Sequence, residues 1–338
     1  MYSFTQIKIS TRKGRIFLPL STHPYNFIRA RTVPSPLFYF MQKPKILIIV
    51  GPTASGKTSL SIQLAQKFNG EIISADSRQV YRGLDLGTGK VTKEEMQGVP
   101  HHLLDVADSR DVYTVADFVG DSRSAIHDIY SRNRLPIIVG GTFFYIDALL
   151  GRVSTPNVLP NKALRASLET KSTSELQTLL TTVDPIRATT IDVQNPRRLI
   201  RALEIAYAVG AVPTNKAEVL YDAFILGITI SPTTLRHNIH TRLIDRLKDG
   251  LVAEVKNLHK NGLSYTRMHD LGIEYRYLAE YLQGKISEEE MQLHIKTKSM
   301  QYAKRQMTWL KRDATIQWFE TRDVCDITKK IESFIHSV

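Results

Sequence analysis

Gly51-Pro-Thr-Ala-Ser-Gly-Lys57-Thr58 satisfies G-x-x-x-x-G-K-[ST] at every fixed position. A loop of this composition folds so that successive backbone N–H groups point at phosphate oxygens. The helix that follows adds its positive N-terminal end, the lysine a fixed charge, and the last hydroxyl a ligand for Mg2+. Gly51, Pro52, Thr53, Ala54, Ser55, Gly56, Lys57 and Thr58 are therefore the expected diphosphate or nucleotide site, with Thr58 the expected metal ligand. The motif says that a di- or triphosphate binds. It does not say which phosphate bond breaks.

A second chemical stretch is Ser74-Ala-Asp76-Ser77-Arg78-Gln79-Val-Tyr81-Arg82-Gly83. It follows an apolar run that reads as a strand, and in an open α/β sheet the residues after strand ends line the ligand crevice. An aspartate there holds a metal through water or acts as a general base. It also suits a helix N-cap. Residues 83–90 continue as a Gly-rich lid or surface loop ending in a cation. In Val139-Gly-Gly141-Thr142-Phe-Phe-Tyr145, the two glycines permit close backbone approach at a crevice that Thr142 would face, or form a turn that Thr142 caps.

Two basic clusters come later. Arg197, Arg198 and Arg201 crowd the start of a helix, so they call for an anion or for Glu204 as counter-ion. Residues 302–312 interleave Lys304, Arg305, Lys311 and Arg312 with Tyr302, Gln306 and Trp309. Such interleaving suits RNA, whose phosphates pair with cations and whose bases stack on rings, although Trp309 could equally be core.

These residues need elements to hold them. Residues 45–50 form a continuous β-branched run, a buried parallel strand, and residues 58–68 carry apolar positions at helical spacing. Further strands are expected at 71–75, 102–106, 135–139 and 224–230, with an edge strand at 315–319. Thr114-Val-Ala-Asp117 reads as a capping box opening a helix within 112–130. Alternation of strands and helices gives an α/β fold with a parallel sheet. Between about 155 and 219 only helical segments appear (164–169, 174–181 and 197–208), which reads as an insertion; residues 231–312 are again mostly helical.

The bulk numbers set limits. The chain has 338 residues, 42% of them hydrophobic and 23% charged, an ordinary globular composition. A net charge of +12 favours a polyanionic partner. The single cysteine, Cys325, excludes an internal disulfide, and no Cys/His group has zinc spacing; a cytoplasmic location is expected. No apolar run approaches the roughly 20 residues that span a bilayer. Residues 1–40 carry six bases and no acid. They read as a basic extension, either a targeting arm or, the favoured reading, sequence upstream of a true start at Met41; without them the charge falls to +6.

The pieces then match a family. GPTASGKT, SADSRQVYRGLDLGTGK, PHHLLDV, VGGTFFY, NPRRLIRALE and AKRQMTWLKR resemble, in order, the motifs of the tRNA dimethylallyltransferases (the IPP transferase family), over about residues 44–319. The resemblance implies a P-loop NTPase-like core resembling nucleotide kinases, over 41–153 and 220–338, with a helical insertion at 154–219 that closes on the anticodon arm. It implies transfer of a dimethylallyl group from its diphosphate to N6 of the adenosine 3′ to the anticodon (position 37), with Mg2+ assisting. Asp76 would be the base; Thr142, Lys57 and Arg165 would be the other catalytic groups. Asp76, Ser77, Arg78 and Gln79 would meet the flipped-out adenosine. Arg197, Arg198, Leu199, Ile200 and Arg201, with Tyr275, Arg276, Lys304, Arg305, Gln306, Trp309 and Lys311, would grip the tRNA. Glu274 departs from the pattern, standing where the family usually has Gly, and puts a carboxylate in a region expected to face tRNA. The chain ends without an added zinc finger, which points to the bacterial type, and a monomer is expected. Three rivals stand: an adenylate isopentenyltransferase using a free nucleotide, without need of the basic C-terminal helices; a small-molecule kinase or other P-loop NTPase turning over ATP without RNA; and a non-catalytic RNA-binding module, which would leave Asp76 and the intact P-loop unexplained.

Overall fold

The computed structural model describes residues 43–153, 156, 158–210 and 219–337. The basic extension expected at 1–40 lies outside them, as do parts of the expected insertion at both of its ends.

Six strands form one parallel sheet in the order β3-β2-β4-β1-β5-β6. The central strand β1 (Lys45–Val50) lies between β4 (Leu135–Gly140) and β5 (Asp222–Thr229). Its side chains divide by parity, as the pleat requires. Ile46, Ile48 and Val50 enter the core on one face, Leu47 and Ile49 the core on the other. The first face is covered by α2 (Val115–Ser131) and α3 (Phe143–Leu149), with Phe118 stacked on Tyr145 at 4.3 Å. The second is covered by α1 (Lys57–Lys67) and α13 (Val324–His336), through Leu60, Leu64, Ile327 and Ile331. Each such fully buried side chain contributes roughly 1.5–3 kcal/mol of transfer free energy, so a strand buried on both faces anchors the sheet.

β2 (Gly70–Ser74) and the late edge strand β6 (Gln317–Glu320) fall within a residue or two of their expected places. The capping box is present too: Thr114 Oγ1 accepts from Asp117 N, and the Asp117 carboxylate accepts from Thr114 N. The strand expected at 102–106 is a correction. Only His101–His102 pair as β3, because Leu103 (φ 62°) and Asp105 (φ 56°) turn left-handed and break the ladder.

Between β4 and β5, α4 (Lys162–Glu169), α5 (Thr173–Val183), α6 (Pro185–Thr190) and α7 (Pro196–Val209) enclose a small core of their own, including Leu168, Leu176, Leu180, Leu199 and Leu203. The short α6 was not expected. After β5 come α8 (Pro232–Lys248), α9 (Leu251–Lys260), α10 (Tyr265–Met268), α11 (Ile273–Leu282) and α12 (Glu288–Leu310). Their apolar faces gather Leu243, Leu251, Val255, Tyr275, Leu278 and Met291 against Val80, Tyr81 and Leu84, the segment that leaves β2. The loop that carries the expected base is thus held by the C-terminal helices.

Candidate active site

The loops after β1, β2 and β4 all emerge at the carboxyl edge of the sheet, where a parallel sheet opens its crevice. They line a cleft of about 850 Å³ with α8 and α12 as the facing wall.

The loop after β1 turns left-handed at Ala54 (φ 61°) and Gly56 (φ 85°), then enters α1 at Lys57 with no side-chain cap on its first N–H groups. Uncapped donors at a helix start are an anion site. Two residues of the facing wall fix the loop. Gln306 Oε1 accepts from Thr53 N at 2.8 Å, while its Nε2 donates to Gly141 O at 3.0 Å. Asn238 Nδ2 donates to Ala54 O at 3.1 Å. Gln306, expected at the tRNA, is buried, lines the cleft and ties the β1 loop to the β4 loop.

Lys57 Nζ donates to Pro52 O at 2.6 Å. Burial, then the charge of Arg242, pulls its pKa down to about 7, against the smaller opposing pull of Asp76. Arg242 reaches Thr53 Oγ1 at 2.8 Å and is itself lowered to about 10 by burial and by Arg246. Two crowded, desolvated cations, opposed only in part by Asp76 and, for Arg242, Glu274, are poised for an anionic ligand. Arg242 was not singled out from sequence. The available signal was the spacing of Asn238, Arg242 and Arg246, four apart and so on one face of α8.

Asp76 follows β2. Its Oδ1 accepts from Arg78 N at 2.8 Å and Gln79 N at 3.4 Å, so the cap-like role is real, yet the residue also lines the cleft. The turn it closes leaves the carboxylate at the cleft wall. Thr142 supports it from the neighbouring strand: its Oγ1 accepts from Ser77 N at 3.1 Å. Gly140, two residues before it, permits this closeness, since a Cβ there would come within 2.2 Å of Ala75 O. Gln79 lines the cleft between Ser74 Oγ, which donates to its Oε1, and Gly89 O, which accepts from its Nε2. Tyr302, on α12, also lines the cleft, and its hydroxyl is pushed up to about 12 by burial and then by the charge of Asp76.

Other expected residues lie elsewhere. Arg165 does not line the cleft: with Arg201 it holds Glu204, 2% exposed, at 2.7 and 2.9 Å. Burial alone would raise the Glu204 carboxyl, but those hydrogen bonds keep it at about 2. Arg198 reaches Asp192 at 3.3 Å, and Arg197 is exposed. Leu199 and Ile200 are corrections, because both face the core of the helical segment rather than the surface. Tyr275 is another: it is 1% exposed and donates to Glu254 Oε1 at 2.7 Å. Arg276 is exposed and donates to His269 O. Lys304, Arg305 and Lys311 are exposed along α12 and its end, with Trp309 among them, its Nε1 donating to Asp147 Oδ2 at 3.0 Å. Arg312 stacks over that indole at 5.6 Å. Glu274 does not face outward; it lies 3.7 Å from Arg246. Residues 83–90 are no free lid: Glu254 accepts from the backbone N–H of Asp85, Leu86 and Gly87.

Fold and site together define a P-loop α/β protein whose phosphate loop shares a cleft with a carboxylate. Known relatives narrow this class. A family model described as IPP transferase matches residues 79–313. The chain is 39% identical over 299 residues to the tRNA dimethylallyltransferase of Anoxybacillus flavithermus, covering 87% of this chain and 96% of that one. It is similarly 39% identical over 305 residues to that of Bacillus subtilis, covering 87% and 96%. Among solved structures it is similar to the full-length tRNA isopentenylpyrophosphate transferase of Bacillus halodurans (35% identity, TM-score 0.66, 87% and 97% covered). It is also similar to a eukaryotic dimethylallyltransferase acting on tRNA (31%, TM-score 0.72, 82% and 74% covered). The chain belongs to the IPP transferase family. Among the described residues no helix is long and apolar enough to cross a membrane.

Proposed function

We propose that the protein transfers a dimethylallyl group from dimethylallyl diphosphate to N6 of the adenosine 3′ to the anticodon of tRNA. The observation that carries this is the meeting of Lys57, Arg242 and the uncapped loop with Asp76 in one cleft. An adenine amine is a weak nucleophile, and the allylic carbon readily takes positive charge. Stabilising the departing diphosphate therefore governs the barrier, and a positioned base removes the proton. The N6 lone pair forms the new C–N bond as the allylic C–O bond breaks. Its electron pair leaves with the diphosphate, and the N6 proton passes to Asp76. Because N6 lies in a stacked loop, the base must leave the stack to reach the cleft.

Thr58 is exposed and lines the same cleft as Asp76, and both bring oxygen donors of the kind Mg2+ takes. Mg2+ bound there with the diphosphate would supply charge neutralisation of the leaving group. Exposed Arg197, Arg276, Lys304, Arg305, Lys311 and Trp309 are the surface we assign to tRNA, and the helical segment within 154–219 the part that contacts the anticodon arm. A monomer in the bacterial cytoplasm fits this reading. Incubation with Mg2+, radiolabelled dimethylallyl diphosphate and an unmodified anticodon stem-loop, beside AMP and ATP, tests it. Label in RNA is expected. Label in AMP, or ATP turnover without RNA, would instead favour the free-nucleotide or kinase rival.

A further inference from the structure

The turn at Gly87–Gly89 is gripped from two sides by consecutive residues of α11. Tyr275 packs where a Cβ on Gly87 would come within 2.4 Å of its ring, and its hydroxyl holds Glu254, which in turn accepts from the N–H groups of Asp85, Leu86 and Gly87 at the entry to the turn. Glu274 faces Arg246, whose Nη1 lies 3.5 Å from Gly87 O and whose Nη2 would sit 1.7 Å from a Cβ on Gly89. Gly89 O accepts from Gln79 Nε2, and Gln79 lines the cleft. A contiguous chain therefore runs from Glu274 through Arg246 and the turn to Gln79.

The same arginine borders the phosphate-binding cations. Arg246 is one helical turn from Arg242 and lines the same cleft. Its side chain is only 11% exposed and that of Glu274 18%, so little solvent screens the pair. Without a counter-ion, a guanidinium in this position would be drawn toward an anion in the cleft.

We infer that Glu274 is a positioning residue: it holds Arg246 against the Gly87–Gly89 turn, which sets Gln79 for the accepting base and keeps that guanidinium off the donor's phosphates. This rests on the proposed transfer to RNA. It accounts for a carboxylate at a position where the family resemblance leads one to expect glycine. Nucleic acid need not touch Glu274 for it to matter to RNA.

The test measures two affinities with Mg2+ present: a fluorescein-labelled unmodified anticodon stem-loop by anisotropy, and inorganic pyrophosphate by calorimetry. In Glu274→Gln the RNA is expected to bind about tenfold more weakly and pyrophosphate about threefold more tightly, opposite signs that a loosened fold cannot produce. Glu274→Asp is expected to restore both toward wild type. In an Arg246→Gln background, Glu274→Gln is expected to add less than about twofold on either ligand. Equal weakening of both ligands, or a full effect of Glu274→Gln without Arg246, would overturn the inference. Label transfer by the wild type is followed in parallel. RNA binding without transfer sinks the proposed reaction and leaves the two affinities to decide the role of Glu274. No RNA binding by wild type overturns both.

Discussion

Lys57 makes donor binding a proton-linked event. In the free protein its pKa is drawn down to about 7 by burial and by Arg242. A bound diphosphate brings compensating negative charge, so the lysine in the complex returns toward its ordinary range near 10.5. Binding then takes up a proton wherever the free lysine is neutral. With a free pKa of about 7, roughly one-tenth of the lysines are charged at pH 8 and one-hundredth at pH 9. Affinity should therefore fall by up to about fiftyfold between pH 7 and 9, approaching 1.4 kcal/mol per pH unit. The stability of the free fold moves the other way. Its unfolded chain binds more protons between about 7 and 10.5, so stability rises with pH across that window. Calorimetric titration of pyrophosphate in buffers of different ionisation heat measures the uptake directly. Lys57→Arg is the control, because a guanidinium does not titrate there while the ligand's own ionisation is unchanged. Equal pH slopes for wild type and Lys57→Arg would refute the reasoning.

Arg242→Gln removes a buried charged hydrogen bond to Thr53, and the dissociation constant for pyrophosphate is expected to rise by about tenfold to a hundredfold in calorimetry, with RNA anisotropy unchanged. Glu204→Gln leaves Arg165 and Arg201 without their shared carboxylate, and denaturant unfolding should show a loss of about 2 kcal/mol, less than for a fully buried pair because both arginines are partly exposed. The Glu204 carboxyl is held at about 2, so that stability is present above about 4.5 and fades as pH falls toward 2, a difference that should vanish in the variant. Gly140→Ala drives a Cβ into the backbone at Ala75, and we expect thermal stability and label transfer to fall together, by about 3 kcal/mol in unfolding free energy.

The phosphate loop and sheet were legible because their signals are local. A strand buried on both faces, a loop of fixed glycines and a helix all appear within residues 45–67. Asp76 was legible by position, since it follows a strand. The grip on this site was not. Arg242, Arg246 and Gln306 reach it from 159 to 253 residues away, along helices whose sequence reads only as basic and amphipathic. Leu199, Ile200 and Tyr275 sit inside motifs, and motif membership does not say which way a side chain turns; helical phase turned all three inward. The third strand failed for a backbone reason, since left-handed residues such as Leu103 and Asp105 have no strong signal outside glycine and asparagine.

Single-turnover transfer of the labelled dimethylallyl group to the anticodon stem-loop, comparing wild type with Asp76→Asn, addresses the central claim most directly. The amide keeps the turn, since its carbonyl oxygen still accepts from Arg78 N, but cannot take the N6 proton. The rate of transfer is expected to fall by at least about a hundredfold, with pyrophosphate and RNA affinities within about threefold of wild type. Transfer by Asp76→Asn at an undiminished rate would contradict the assignment of this carboxylate as the base.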